Sequence, residues 1–148
     1  MSALTNDFNL NRFITAQDRA YAAALAELRQ GRKRSHWIWY ILPQLKGLGW
    51  SSMSESYGLS GLAEAHAYLT HPVLGPRLVE CVNALLAHAG TPAEAILGSI
   101  DALKFRSCLT LFACAAPDDP VFAAALNCFY AGEPDPKTLR LLEAAGDL

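Results

Sequence analysis

The chain has 148 residues, 52% of them hydrophobic and 18% charged, and its formal net charge is −2. This length suits one ordinary domain, and so much apolar content excludes a disordered polypeptide. The near-neutral balance argues against extended nucleic-acid binding, and no apolar run reaches the roughly 18 to 20 residues that span a bilayer.

The N-terminal "MSALTNDFNLNRF" has neither a basic start nor a continuous apolar stretch. No signal peptide is expected, and hence a cytoplasmic protein. The charge is unevenly spread. No acid lies between Glu27 and Glu55, a gap that holds Arg29, Arg32, Lys33, Arg34 and Lys46. From Asp118 onward six acids face only Lys137 and Arg140.

Helix punctuation then recurs along the chain. "TAQDRAYAAALAELRQG" carries Thr15 and Asp18 at capping-box spacing and closes at Gly31, with Tyr21, Leu25 and Leu28 on one face. "HWIWYIL" has strand-like composition, but a lone strand would have no partner here. It reads as a short helix from Ser35 to Leu42, stopped by Pro43. "SGLAEAHAYLTH" offers Ser60 as N-cap, with Leu62, Ala65 and Leu69 inward. Pro72 could open the next helix, although Gly75-Pro76 suggests that the helix proper begins at Pro76. Its stripe is Leu74, Leu78, Cys81 and Leu85.

"TPAEAILG" predicts a helix capped by Thr91, with Pro92 first, Glu94 closing the box and Gly98 ending it. "SIDALKFRSCLTLFACAAP" places Ile100, Leu103, Ser107 and Leu111 on one face and stops before Pro117. Two Asp-Pro starts follow, at Asp119 and Asp135. The first helix ends at Gly132 and has the stripe Phe122, Ala125, Leu126 and Phe129. The expected fold is all-α: a single compact domain spanning residues 1–148, with about seven or eight short helices. They are too uneven for an up-down bundle.

Cys81, Cys108, Cys114 and Cys128 form no C-x-x-C pair and no zinc spacing, so reduced core cysteines are expected. Metalloprotease, nucleophile-elbow, Walker and dinucleotide-binding motifs are all missing, and no metal or cofactor is implied.

Four stretches occur in a telling order: "SHWIWYILPQLKGLG", "YGLSGLAEAHAYLTHPVLGPRL", "DALKFRSCLTLF" and "FYAGEPDPKTLRLL". Together they resemble the bacterial family known as domain of unknown function 1810, from about Phe8 to Leu142. This chain departs from the family pattern at Ile38 and Leu42, at Phe105, Cys108 and Leu109, and in having Arg34 before Ser35. With Cys108 where the family has serine, no hydroxyl chemistry is expected there. The resemblance implies an all-helical fold and no assigned activity. It draws attention to the polar residues within its motifs: His36, Gln44, His71, Arg77, Asp101, Lys104 and Ser107.

Structural duties account for several of these. His71 can start a helix, Arg77 can pair with Glu80 or Glu64, and Asp101 suits a first helical turn. Lys104 can lay its stem on apolar neighbours. His66 and His88 read as helix-surface residues.

The aromatic stretch invites a sharper expectation. On a helix Trp37 and Trp39 lie about 200° apart, so one should be core and the other should line a cavity with His36 and the Lys104–Ser107 face. In that pocket a tryptophan would stack on a planar group. Gln44, His71, Arg77, Lys104, Arg106 and Ser107 would supply polar contacts to a small anionic, nucleotide-like metabolite. His36 and Asp101 are the candidates for acid–base chemistry. "KGLGWSSMSESYG" adds glycines and hydroxyls able to meet an anion. The alternative is an interaction module or homo-oligomer that uses the basic-aromatic segment 29–50.

Overall fold

The computed structural model describes residues 8–148. Among them the chain forms nine helices, six of seven residues or longer, and one isolated bridge between Leu45 and Leu59. The first helix, α1 (Asn11–Gln30), begins four residues before Thr15. No side chain caps its start, and the Arg12 guanidinium braces the preceding turn by donating to the carbonyls of Phe8 and Asn9. Early entry also buries Phe13. Gly31 ends α1 in the left-handed conformation, as its sequence position suggested.

The aromatic stretch forms a single turn, α2 (Ile38–Ile41), rather than a helix from Ser35 to Leu42. The amides of Arg34 and Ser35 do not enter a helix because the Glu27 carboxylate takes both. After Pro43 the chain meets Leu59: Lys46 N–H donates to Leu59 and Leu59 N–H to Gln44. The short α3 (Ser52–Tyr57) lies between them.

Helix α4 (Leu62–Thr70) has Gly61 at its cap, while the Ser60 amide donates to buried Glu64. Glu64 also pairs with Arg12 at 2.9 Å, a link that sequence spacing does not reveal. Helix α5 (Leu74–Leu86) starts two residues before Pro76. His71 Nδ1 accepts from the amides of Val73 and Leu74, which caps that start. A Cβ at Gly75 would lie 2.0 Å from the Leu69 carbonyl oxygen, so only glycine permits this tight α4–α5 corner.

The one-turn α6 (Ala93–Leu97) has Pro92, not Thr91, at its cap and ends at left-handed Gly98. Helix α7 (Ser99–Ala115) is the hub: α4, α6, α8 (Pro120–Tyr130) and α9 (Pro136–Ala144) all pack on it. Residues Ser107 to Phe112 are buried in unbroken succession, so the stripe expected through Ile100 and Leu103 fails. A helix enclosed on several sides has no single apolar face to read. The core instead takes Ala102, Phe105, Cys108 and Phe112, while Ile100 and Leu103 stay exposed. Both Asp-Pro starts occur as expected, with Asp119 and Asp135 accepting from amides in the first turn.

No described helix is long and apolar enough to cross a membrane. All four cysteines are free, with Cys81 and Cys108 buried but Cys114 and Cys128 only half-buried.

Candidate functional site

The two tryptophans of the aromatic stretch have separate environments. Trp37 is 1% exposed and belongs to the core. Its indole N–H donates to Glu27 Oε1 at 2.9 Å. The same carboxylate takes the amides of Arg34 and Ser35 and the Ser35 hydroxyl. Partial burial alone would raise its pKa. The Ser35 hydroxyl, the Arg34 amide, the Trp37 indole and the Ser35 amide outweigh burial and hold it at about 2. Thus Glu27, one turn before the end of α1, folds the basic segment back and sets the direction in which α2 leaves it.

Trp39 is half-buried and faces a cavity of about 460 Å³ between α2, the 44–54 loop and the first half of α7. Gln44, Lys104 and Ser107 line it as well. So do Leu48, Trp50, Asp135 and Lys137. Lys104 Nζ sits 4.6 Å from the Trp39 ring centroid and 3.6 Å from Asp101 Oδ1. Asp101 makes its shorter contact, 2.9 Å through Oδ2, with Lys33. The Lys33 side chain is only 8% exposed and its ammonium also lies over the Trp37 ring. The two lysines therefore differ. Lys33 is committed to a nearly enclosed ion pair, whereas Lys104 is held loosely over an aromatic face.

Asp135 is engaged through one of its two carboxylate oxygens. Its Oδ2 accepts from the Thr138 amide and hydroxyl and from Ser107. Arg106 does not line the cavity. It clamps the approach to α9 instead, donating to the carbonyls of Glu133 and Pro134 at 2.9 Å each. Thr110 accepts from the Asp135 amide in the same corner. These bonds place Lys137 at the cavity edge.

Four of the sequence-predicted site residues, Trp39, Gln44, Lys104 and Ser107, thus share one cavity, and six do not line it. Trp37 is core. His36 is exposed, so the expected grouping of His36 with Lys104 and Ser107 does not form at this cavity. Asp101 stands behind Lys104. His71 caps α5 beside a different cavity, lined by Asn9, Asn11 and Thr70. Arg77 pairs with Asp18 at 3.4 Å, not with Glu80 or Glu64, and stacks over Tyr21. The serine loop also turns inward: Ser51 Oγ accepts from the Ser54 amide, and buried Ser54 donates to the Ser51 carbonyl. His88, expected on a surface, bonds the carbonyls of Leu28 and Arg29 at the end of α1.

Sequence reasoning missed Glu27, Trp50 and Lys137. Glu27 had a signal, as the last acid before a long basic segment. Trp50 had one in the two glycines before it.

The model of a family described as protein of unknown function (DUF1810) matches residues 7–142. The chain belongs to the DUF1810 family. A solved DUF1810-like neighbour is similar throughout: a conserved hypothetical protein from Mycobacterium tuberculosis, 46% identical, with a TM-score of 0.91. The alignment covers 93% of this chain and 99% of that one. Among curated proteins none matches this DUF1810 chain.

Proposed function

We propose that the protein binds a small anionic, nucleotide-like metabolite in the cavity between the "SHWIWY" segment and the "DALKFRS" helix. One observation carries this: Lys104 is a loosely held cation poised over the accessible face of Trp39. A cation–π contact at a partly exposed site is worth about 0.5–1 kcal/mol, and the ion pair to Asp101 is long, at 3.6 Å. An incoming carboxylate or phosphate can therefore draw the ammonium off and leave the ring free to stack. The cavity volume falls within the roughly 300–1,000 Å³ of small-molecule sites. Lys104 and Lys137 supply two positive charges against one lining carboxylate, Asp135, whose Oδ2 caps α9. With His36 and Asp101 outside the lining, binding is proposed without acid–base chemistry.

Native purification followed by mass spectrometry tests this. The expected result is a small anionic compound with an aromatic ring in the wild-type preparation, absent from Lys104→Glu. The same compound carried equally by both proteins would place it elsewhere. Its absence from both, with no binding of added candidates, would remove the reading.

A second reading, an interaction surface on segment 29–50, draws on Trp50, which is 97% exposed beside Ile100 and Leu103 at 69% and 64%. The basic part of that segment is not one continuous surface, since the Lys33 ammonium is withdrawn into its pair with Asp101. Light scattering over a wide concentration range checks it: a concentration-dependent dimer lost in Trp50→Ala supports this reading.

A further inference from the structure

Trp50 borders the cavity, yet it is the most exposed large hydrophobic among the described residues. Tryptophan is highly buried on average, so full exposure at a cavity edge calls for a reason. The loop that carries it is not loose. Leu48 packs against the core, and Ser51 caps α3. A Cβ at Gly49 would meet Ser54 Oγ at 2.8 Å and Ser54 Cβ at 2.9 Å, so the backbone before Trp50 is pressed against α3. The main chain is thus anchored on both sides while the indole stands in solvent, free to rotate about its side-chain bonds.

Trp39 lines the same cavity, and so do both lysines, Lys104 and Lys137. Resting on the binding reading above, we infer that Trp50 is the second half of an aromatic clamp. Its indole turns onto a heteroaromatic ring stacked on Trp39, while the ligand's anionic group engages Lys104 and Lys137. The ligand class is then a planar nitrogenous ring joined to one phosphate or carboxylate, not a sugar phosphate or a simple anion. Stacking on tryptophan contributes enough per base to make the ring a main determinant of affinity.

The probes are AMP, UMP, adenosine and ribose 5-phosphate, and the readout is tryptophan emission with acrylamide as quencher. Buried Trp37 is shielded in every state, so Trp50 dominates collisional quenching of the free protein. AMP or UMP should reduce acrylamide quenching and shift emission to shorter wavelength. Trp50→Ala should weaken binding of the same nucleotide at least about tenfold, and Trp50→Phe less. Adenosine and ribose 5-phosphate should each bind at least about tenfold more weakly than AMP.

Each other outcome is decisive. A nucleotide that binds Trp50→Ala as well as wild type, with quenching unchanged, overturns the clamp and leaves the cavity reading standing. Ribose 5-phosphate binding as tightly as AMP does the same, since only the anion then matters. If none of the four binds protein whose circular dichroism is native, the clamp and the cavity reading both fall. As a fully exposed residue, Trp50 can be replaced without loss of folding, so the variants report on binding.

Discussion

The indole N–H of Trp37 donates to Oε1 of Glu27 across the turn between α1 and α2, at 2.9 Å. This bond satisfies the one polar atom of a core tryptophan and helps gather an otherwise irregular basic segment around one carboxylate. Because its donors hold the Glu27 carboxyl at about 2, below the usual 4.5, its folded-state pKa is depressed. The stability it contributes is complete above 4.5 and is lost as pH falls from there toward 2. Discounted for solvent screening, that contribution is about 1–2 kcal/mol. Glu27→Gln should lower stability by about this amount near neutrality. The difference from wild type should shrink to near zero at the acid end, as measured by urea unfolding across pH. A difference that stays constant with pH would show that the charge of Glu27 plays no part.

Trp37 and Trp39 should behave differently when removed. Trp37→Ala leaves a large cavity and removes one of the three donors to Glu27 Oε1, and should cost about 3–5 kcal/mol. Half-buried Trp39 should cost clearly less when changed to alanine, while AMP affinity drops at least about tenfold. Thermal unfolding and fluorescence titration of the two variants check this. Equal, large losses of stability in both would mark Trp39 as core.

Asp101 joins Lys33 at 2.9 Å with both side chains mostly enclosed. Breaking a fully buried pair costs about 3–5 kcal/mol, and partial access to water reduces this. Asp101→Ala and Lys33→Ala should each cost about 2 kcal/mol, whereas the double variant should cost less than their sum. A double-mutant cycle by denaturant unfolding measures the coupling. Strict additivity would mean that the 2.9 Å contact carries no energy.

The cysteines should divide in two. Burial pushes the Cys81 thiol up to about 12 and raises Cys108 further, so both should resist labelling in the native state. Cys114 and Cys128 are half-buried and should react first. A maleimide time course read by intact mass should show two labels on the native chain and four after denaturation. Prompt labelling of all four would contradict this division.

Much of the fold could be read before any coordinates. Helix ends written into local chemistry, at Gly31, Gly98, Asp119 and Asp135, occur where their residues place them. Caps depend on a few adjacent residues, so a linear reading finds them. The same reading went astray at Thr15, where α1 is already under way from Asn11 without a side-chain cap, and at Ser35, whose amide goes to the Glu27 side chain across the turn. It failed along α7, whose buried half is enclosed by four other helices and so has no periodic face.

The site divides along the same line. Trp37 and Trp39 do part into core and cavity wall, although Trp37 precedes the turn Ile38–Ile41 and does not share a helix with Trp39, and composition alone places basic and aromatic residues in one segment. Only the packed chain decided which tryptophan is core, because that depends on where Glu27 can reach. Only packing could set Lys104 over Trp39 while withdrawing Lys33 into Asp101, or bring Lys137 from the last helix to the cavity that Trp50 borders. Such pairings join residues tens of positions apart. They arise when helices are buried against one another, and no local pattern in the chain records them.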